Sequence, residues 1–211
     1  MRRLQEEWLE KYQGVPFSAA DLKTDLCDYS AVRMKLSRLV SQGVLLRLKK
    51  GFYCLAPDYS SKFIELGVIS NALYGPSYVS FDSALSLYGL IPERTYETMS
   101  AVVKRGASYR TPFGTFRYYQ IPEPVFGLGV RSEKTANGTY LMANPTKALC
   151  DTLFRKQLLR VTSPKTLREF LEVDMRFDFD YLGEPDQDVL QAYATCGRKV
   201  GIFNALKRIF S

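Results

Sequence analysis

The apolar side chains of this chain change their spacing at Gly43, from that of a helix to that of a strand pair. Residues 30–42 place apolar side chains three or four positions apart, which predicts an α-helix that ends at the glycine. Residues 44–49 and 52–55 are predicted to be the two strands of a hairpin. Two shorter helical patterns precede this unit, at residues 3–13 and 18–26, and Ser18 with Asp21 is predicted to cap the second in a capping-box arrangement. The chain up to residue 57 is therefore predicted to be a winged helix-turn-helix.

The predicted helix has two chemically different faces on a wheel of about 100° per residue. Its apolar face consists of Val32, Leu36, Leu39 and Val40. The opposite face is small, polar and edged by cations, which suits a helix that enters the DNA major groove. We expect this face and the hairpin to bind DNA through Tyr29, Ser30, Arg33, Met34, Ser37, Arg38, Arg47, Lys49 and Lys50.

Charge is divided unevenly along this part of the chain. Residues 29–53 contain six Lys or Arg and no Asp or Glu, whereas the preceding 28 residues contain six acids and four bases. In the hairpin, Leu46 and Leu48 are predicted to share one side of the strand, and Arg47 and Lys49 the other. Cations that neutralise phosphates release counterions, so binding should weaken with salt. The alternative is a solvated basic face on a structural three-helix unit.

The composition excludes several classes of function. The chain contains no histidine, which removes Ser-His and Cys-His catalysis and most zinc sites. The net charge of +7 permits an anionic partner without identifying one. The N-terminus lacks the apolar core of a signal peptide and no long apolar run follows, so we expect a cytoplasmic protein that contacts no membrane. The four cysteines form no CxxC pair and are expected to be reduced and mostly buried.

Residues 58–211 are predicted to form a second domain, separate from the domain at residues 1–57. Strand patterns with glycine-rich turns fill residues 98–142, and helical patterns follow. Asn144 and Pro145 are typical of a helix start. The predicted class is α+β: a winged helix-turn-helix, then a small, mainly antiparallel sheet with C-terminal helices.

The main acidic cluster lies in the sequence EVDMRFDFD and consists of Glu172, Asp174, Asp178 and Asp180. Carboxylates at this spacing could hold a metal ion for phosphodiester chemistry, which would make the protein a metal-dependent nucleic-acid enzyme. We favour a structural role, in which these acids pair with Arg168 and Arg176 or cap the next helix, because no nuclease lysine motif accompanies them. Phosphate-binding glycine loops are also missing. We therefore expect no catalytic residue, no metal and no cofactor.

Several segments, in order and spacing, resemble the AbiEi-type antitoxins of type IV toxin–antitoxin systems. They are YVSFDSALSLYGLIPE at 78–93, FGTFRYYQI at 113–121 and MANPTKALCDTLF at 142–154. The last is similar to the family's A-x-P-E-K-A-L-x-D segment, with Thr146 where the family usually has Glu. Its matching positions are Ala143, Pro145, Lys147, Ala148, Leu149 and Asp151. The likeness extends over residues 15–211.

The resemblance implies two activities. The N-terminal domain would bind double-stranded DNA at inverted repeats in its own promoter and repress its operon. The C-terminal domain would counteract a nucleotidyltransferase-type toxin, without requiring direct contact with it. A winged-helix transcription factor whose second domain senses a ligand remains the alternative.

Overall fold

The structure is a computed structural model that describes residues 7–24, 29–93, 95–157 and 163–211. Within these ranges, the side chains of residues 7, 8, 23, 24 and 29–31 are not described. Below, residues 7–57 are called the N-terminal part and residues 58–211 the C-terminal part. No helix in the described ranges combines the length and the apolar composition that crossing a membrane requires.

The N-terminal part contains three helical segments and a three-stranded antiparallel sheet in the order β1-β3-β2. The helical segments are a 3₁₀ helix at Glu7–Tyr12, a 3₁₀ helix at Asp21–Thr24 and the helix α1 at Tyr29–Ser41; the strands are β1 at Phe17–Ser18, β2 at Leu45–Lys49 and β3 at Phe52–Leu55. The predicted third helix and hairpin are therefore confirmed. In the described residues, the first two helical segments have 3₁₀ rather than α-helical geometry, and β1 is an addition.

Local hydrogen bonding explains where the second helical segment begins. The Ser18 backbone N–H donates to the Asp21 carboxylate at 2.7 Å, and the Asp21 N–H donates to the Ser18 hydroxyl at 3.2 Å. This reciprocal capping box satisfies donors that a helix start leaves without partners. The predicted cap is confirmed.

The apolar face of α1 lies against the sheet. Val32, Leu36 and Leu39 are buried in one cluster with Leu45 and Leu55 of the hairpin. Burying such side chains stabilises a fold by about 1.5–3 kcal/mol each, which orients the helix. The polar face of α1 must consequently point away from the sheet, towards solvent.

The β2–β3 hairpin contains a β-bulge at Leu48. Arg47 pairs with Tyr53 and Lys49 pairs with Phe52, so the register shifts by one residue between them. Because Tyr53 and Phe52 are neighbours on β3 and face opposite sides, Arg47 and Lys49 also face opposite sides. The prediction that these two cations share one side of the strand is therefore wrong.

A six-stranded mixed sheet forms the centre of the C-terminal part, in the order β6-β7-β5-β4-β9-β8. Its strands are Tyr78–Val79 (β4), Glu97–Val102 (β5), Ala107–Thr111 (β6), Gly114–Gln120 (β7), Val130–Thr135 (β8) and Gly138–Ala143 (β9). The β5–β7 and β4–β9 pairs are parallel and the other three pairs are antiparallel. The predicted α+β class is confirmed, but the sheet is larger and more mixed than predicted, because β4 and β6 are additional strands and two of its pairs are parallel.

Helices cover this sheet and complete the C-terminal part. They are α2 (Leu66–Leu73), α3 (Phe81–Leu87), α4 (Glu123–Phe126), α5 (Pro145–Arg155), α6 (Pro164–Glu169), α7 (Gln187–Thr195) and α8 (Val200–Ile209), with a π-helical segment at Phe170–Asp174 and 3₁₀ segments at Pro57–Tyr59 and Asp180–Leu182. Helix α5 begins as predicted: the Asn144 side chain accepts a hydrogen bond from the Lys147 N–H at 2.7 Å, and Pro145 is its first residue.

A fully enclosed polar cluster connects three helices and a strand of this part. Lys147 and Asp151 lie one turn apart on α5, both with fully buried side chains, and the Lys147 Nζ lies 2.9 Å from Asp151 Oδ1. The Lys147 ammonium also donates to the Tyr193 hydroxyl at 2.6 Å. The Asp151 carboxylate accepts from the hydroxyls of Ser80 at 2.6 Å, Tyr78 at 3.1 Å and Tyr193.

These hydrogen bonds join α5 to β4, to the residue before α3 and to α7. Burial and the nearby Asp151 charge raise the pKa of the Tyr78 and Tyr193 hydroxyls well above the ordinary value, so both donate hydrogen bonds in their neutral form. A buried ion pair is stabilising only when its remaining hydrogen-bonding groups are satisfied, and the three hydroxyls do this here.

The described cysteines are free thiols. Cys54 and Cys150 are buried, and Cys196 is partly exposed. Burial raises the pKa of the Cys54 thiol to about 12. This agrees with the expectation of reduced and mostly buried cysteines for these three; Cys27 lies outside the described residues.

Candidate nucleic-acid interface

The outward face of α1 is exposed where the sequence predicted DNA contacts. Arg33, Met34, Ser37 and Arg38 are all exposed, and the Met34 side chain keeps 69% of its surface accessible. Tyr29 and Ser30 belong to the first turn of α1, but their side chains lie outside the described residues. The four described side chains present hydroxyl, thioether and guanidinium groups, which can contact bases and phosphates.

A groove of about 440 Å³ separates α1 from the hairpin, and we call it the α1–hairpin groove. Arg33 and Ser37 line it from the helix, and Arg47 and Lys50 line it from the hairpin. Its apolar floor is formed by Ala19, Val32, Leu36, Val40, Gly51 and Tyr53. None of these lining residues is an acid, so the groove presents three cations towards solvent.

These three cations have no acidic partner within the described ranges. Arg33, Arg47 and Lys50 take part in none of the ion pairs that the described residues form, and all three are exposed. The Arg47 Nε makes a long hydrogen bond of 3.4 Å to the Lys49 carbonyl oxygen. Cations without protein partners in a concave surface attract anions, because low-dielectric walls focus their field.

Lys49 is placed differently from the other predicted site residues. Its ammonium donates to the carbonyl oxygen of Leu73, the last residue of α2, and lies 4.4 Å from the ring centre of Phe52. Burial and the neighbouring charge of Lys104 lower its pKa. The structure therefore brings Arg33, Ser37, Arg47 and Lys50 together, with Met34 and Arg38 beside them, and directs Lys49 towards the C-terminal part.

The acidic segment forms local contacts of the kind we favoured. The Arg168 Nε lies 2.8 Å from Glu172, and the Asp178 carboxylate accepts from the backbone N–H of Asp180 at 2.9 Å, at the start of the 3₁₀ segment Asp180–Leu182. Arg176 pairs with Glu93 rather than with an acid of this segment. The described residues assemble no group of three or more His, Cys, Asp or Glu side chains that could hold a metal ion.

A second concavity, of about 280 Å³, lies where the N-terminal and C-terminal parts meet. Cys54, Leu55 and Pro57 line it from one side, and Phe63 and Phe113 from the other. Lys62 is the only charged side chain in its lining. The cavity could hold a small apolar molecule. The sequence did not predict this cavity, because its walls come from segments that lie far apart in the chain.

Arg38 is the outward-face residue whose loss should change sequence preference. We expect Arg38→Ala to weaken binding to a preferred duplex by roughly 1–3 kcal/mol if the guanidinium contacts a base edge, and to relax preference at one position. Selection from a randomised duplex pool, with the unsubstituted protein in parallel, measures this. Equal weakening on preferred and scrambled duplexes would instead identify Arg38 as a phosphate contact.

No protein-family model matches the chain, and a comparison with curated proteins finds no match either. A function is therefore inferred from the geometry of the α1–hairpin groove and from the sequence resemblance to AbiEi-type antitoxins.

Proposed function

We propose that the protein is the antitoxin of a type IV toxin–antitoxin system and that it represses its own operon by binding promoter DNA. The observation that carries the DNA-binding half is the α1–hairpin groove, in which a serine and three cations without an acidic partner among the described residues line a concave surface. Phosphates are the counter-ions that such a surface lacks.

In this proposal the N-terminal part acts as a winged helix-turn-helix. Helix α1 is the recognition helix, and its exposed Ser37 and Arg38 contact base edges. The β2–β3 hairpin is the wing, and its Arg47 and Lys50 contact the backbone on the other side of the groove. The order of elements, with a short helical segment at Asp21–Thr24, then α1, then a hairpin, supports this assignment.

The antitoxin half of the proposal rests on the resemblance to AbiEi-type antitoxins. Its partners would be the operon's own promoter, with inverted repeats, and a nucleotidyltransferase-type toxin that it counteracts without requiring contact. Lys147 and Asp151, which match the family's segment, are buried against each other in this chain. Those two positions therefore support the fold of the C-terminal part, and any antitoxic surface lies elsewhere on it. A repressor of its own promoter acts in the cytoplasm.

Binding to the DNA upstream of its own reading frame tests the repressor half. We expect the full-length protein to shift this duplex at concentrations that leave a scrambled duplex free, and its affinity to fall with a log–log slope of about −0.9 per phosphate contact as salt rises. Equal affinity for the two duplexes would overturn autorepression.

Co-expression with the neighbouring nucleotidyltransferase-type reading frame tests the antitoxin half. We expect the full chain to restore growth that this toxin inhibits. Deletion of residues 58–211 should abolish the rescue, since the proposal assigns antitoxicity to the C-terminal part. Persistent rescue by the N-terminal part alone would contradict this division of labour.

A ligand-responsive transcription factor is the second candidate, and the 280 Å³ cavity between the two parts favours it. Ligand pockets often lie at such junctions, and a molecule bound there would contact both parts. In that case a small apolar ligand would change affinity for DNA, and no toxin gene would lie beside the reading frame. Growth rescue by co-expression separates the two functions.

A further inference from the structure

Two lysines from distant positions in the chain converge on the C-terminal end of α2. The Lys49 ammonium of the hairpin donates to the Leu73 carbonyl oxygen. The Lys104 ammonium donates to the Gly75 carbonyl oxygen at 2.7 Å and lies 3.9 Å from the ring centre of Tyr74. The last carbonyls of a helix have no partners within it and carry partial negative charge, so cations are stabilising there.

An apolar contact lies beneath these lysines, and we call it the hairpin–sheet contact. Leu48 and Cys54 of the hairpin, 3% and 1% exposed, share a cluster with residues of α2 and the six-stranded sheet. Those partners are Ile69, Leu73, Val102, Phe116 and Tyr118. The bulge at Leu48 creates this arrangement, because it turns Leu48 and Lys49 to the same side of the hairpin.

We propose that the C-terminal part holds the hairpin in its DNA-binding position, and that Lys49 is a positioning residue whose ammonium fixes the hairpin to the end of α2. This inference rests on the proposed DNA-binding function. It assigns Lys49 a role opposite to that of Lys50, the next residue in the chain, which lines the α1–hairpin groove and contacts phosphate.

The surroundings of Lys49 favour this role over a phosphate contact. Its ammonium already has a carbonyl acceptor and lies 4.4 and 5.4 Å from the ring centres of Phe52 and Tyr109. Contacting a phosphate would require it to leave all three groups. Lys50 is exposed, and its ammonium has no acidic partner among the described residues.

The salt dependence of DNA binding separates the two roles in full-length protein. We expect Lys50→Met to reduce the log–log salt slope by about 0.9. Lys49→Met should leave the slope unchanged while affinity falls about tenfold at every salt concentration, since a hydrogen bond to a charged group is lost. Lys49→Arg, which retains a cation for the Leu73 carbonyl, should restore affinity.

Alkylation of Cys54 measures the hairpin–sheet contact directly and without DNA. The Cys54 thiol is buried there and its pKa is raised to about 12, so it reacts only when the contact opens. We expect iodoacetamide to label Cys54 about tenfold faster in Lys49→Met than in the unsubstituted protein, as resolved by peptide mass spectrometry. Cys150, buried in a different cluster, is the internal control and should keep its rate.

Three outcomes would overturn the inference in a protein that binds DNA. They are a salt slope that falls equally in Lys49→Met and Lys50→Met, a Cys54 labelling rate unchanged by Lys49→Met, and equal acceleration at Cys54 and Cys150. Equal losses of salt slope would identify Lys49 as a phosphate contact. An unchanged Cys54 labelling rate would show that Lys49 does not hold the hairpin, and equal acceleration at Cys54 and Cys150 would show that it stabilises the whole fold. Failure of the unsubstituted protein to bind DNA overturns the proposed function instead, and the labelling rates then report on the contact alone.

Discussion

Replacing Arg33, Arg47 and Lys50 together by Gln is expected to weaken DNA binding about a hundredfold, because three charge-assisted contacts of roughly 1 kcal/mol each disappear. The log–log slope of affinity against salt should fall by about 2.7, which is the counterion release from three phosphates. All three side chains line the α1–hairpin groove without an acidic partner in the described ranges, so their loss should change the fold little. Fluorescence anisotropy with a labelled duplex at several salt concentrations measures both quantities.

A matched control removes three cations from elsewhere on the protein. Lys134, Lys165 and Arg208 are exposed on the C-terminal part, and their replacement by Gln also lowers the net charge from +7 to +4, since 7 − 3 = 4. We expect this control to retain most of the affinity and the salt slope. Equal losses in both triple variants would show that net charge, rather than the α1–hairpin groove, attracts DNA.

Asp151→Asn is expected to destabilise the protein by about 3–5 kcal/mol, the usual effect of leaving a buried charge without its partner. The substitution keeps the size of the side chain but leaves the fully buried Lys147 ammonium without a counter-ion. With the amide oxygen facing Lys147 and Tyr193, the substitution also removes the acceptor of the Ser80 and Tyr78 hydroxyls, since an amide nitrogen cannot accept a hydrogen bond. Urea denaturation measures the loss in the free energy of unfolding. Thermal denaturation should show a Tm lower by roughly 10 °C.

Glu172→Gln is the matched control for this prediction. Arg168 and Glu172 are also spaced i,i+4 and lie 2.8 Å apart, but their side chains are 53% and 47% exposed. Exposed pairs contribute roughly 0–1 kcal/mol, so Glu172→Gln should change the free energy of unfolding by less than that. Similar losses in Asp151→Asn and Glu172→Gln would contradict the structural role assigned to the buried cluster.

This comparison also shows what a linear pattern leaves undecided. Lys147 and Asp151 have the same spacing as Arg168 and Glu172, and both pairs look like exposed helical ion pairs in the sequence. The difference arises from Tyr78, Ser80 and Tyr193, which distant segments bring over α5. No local pattern indicates that these hydroxyls will surround one lysine and one aspartate.

For the predicted DNA-binding residues too, the local pattern predicts some features and contacts between distant segments decide others. The faces of α1 follow from its own periodicity, and the structure exposes Arg33, Met34, Ser37 and Arg38 as that periodicity predicts. The strand alternation of the hairpin predicts the direction of Lys49 incorrectly. A single bulge turns the following side chain to the other side of the strand. The bulge in this hairpin lies at Leu48, which packs into the hairpin–sheet contact.

The sequence by itself determined the features that depend on neighbouring residues. These are the capping box of Ser18 and Asp21, the start of α5 at Asn144, the two faces of α1 and the concentration of cations on α1 and the hairpin. Each depends on hydrogen bonds or periodicities within about one helical turn, so the residues that decide it are visible together.

Only the tertiary structure decided the position of β4 between β5 and β9, the burial of Lys147 with Asp151, and which hairpin cations face the α1–hairpin groove. Each depends on packing between residues far apart in the chain. Such contacts can override a local preference, because burying apolar surface contributes more than keeping a strand regular. Lys49 therefore faces the C-terminal part, although its sequence neighbours predicted a place beside Arg47.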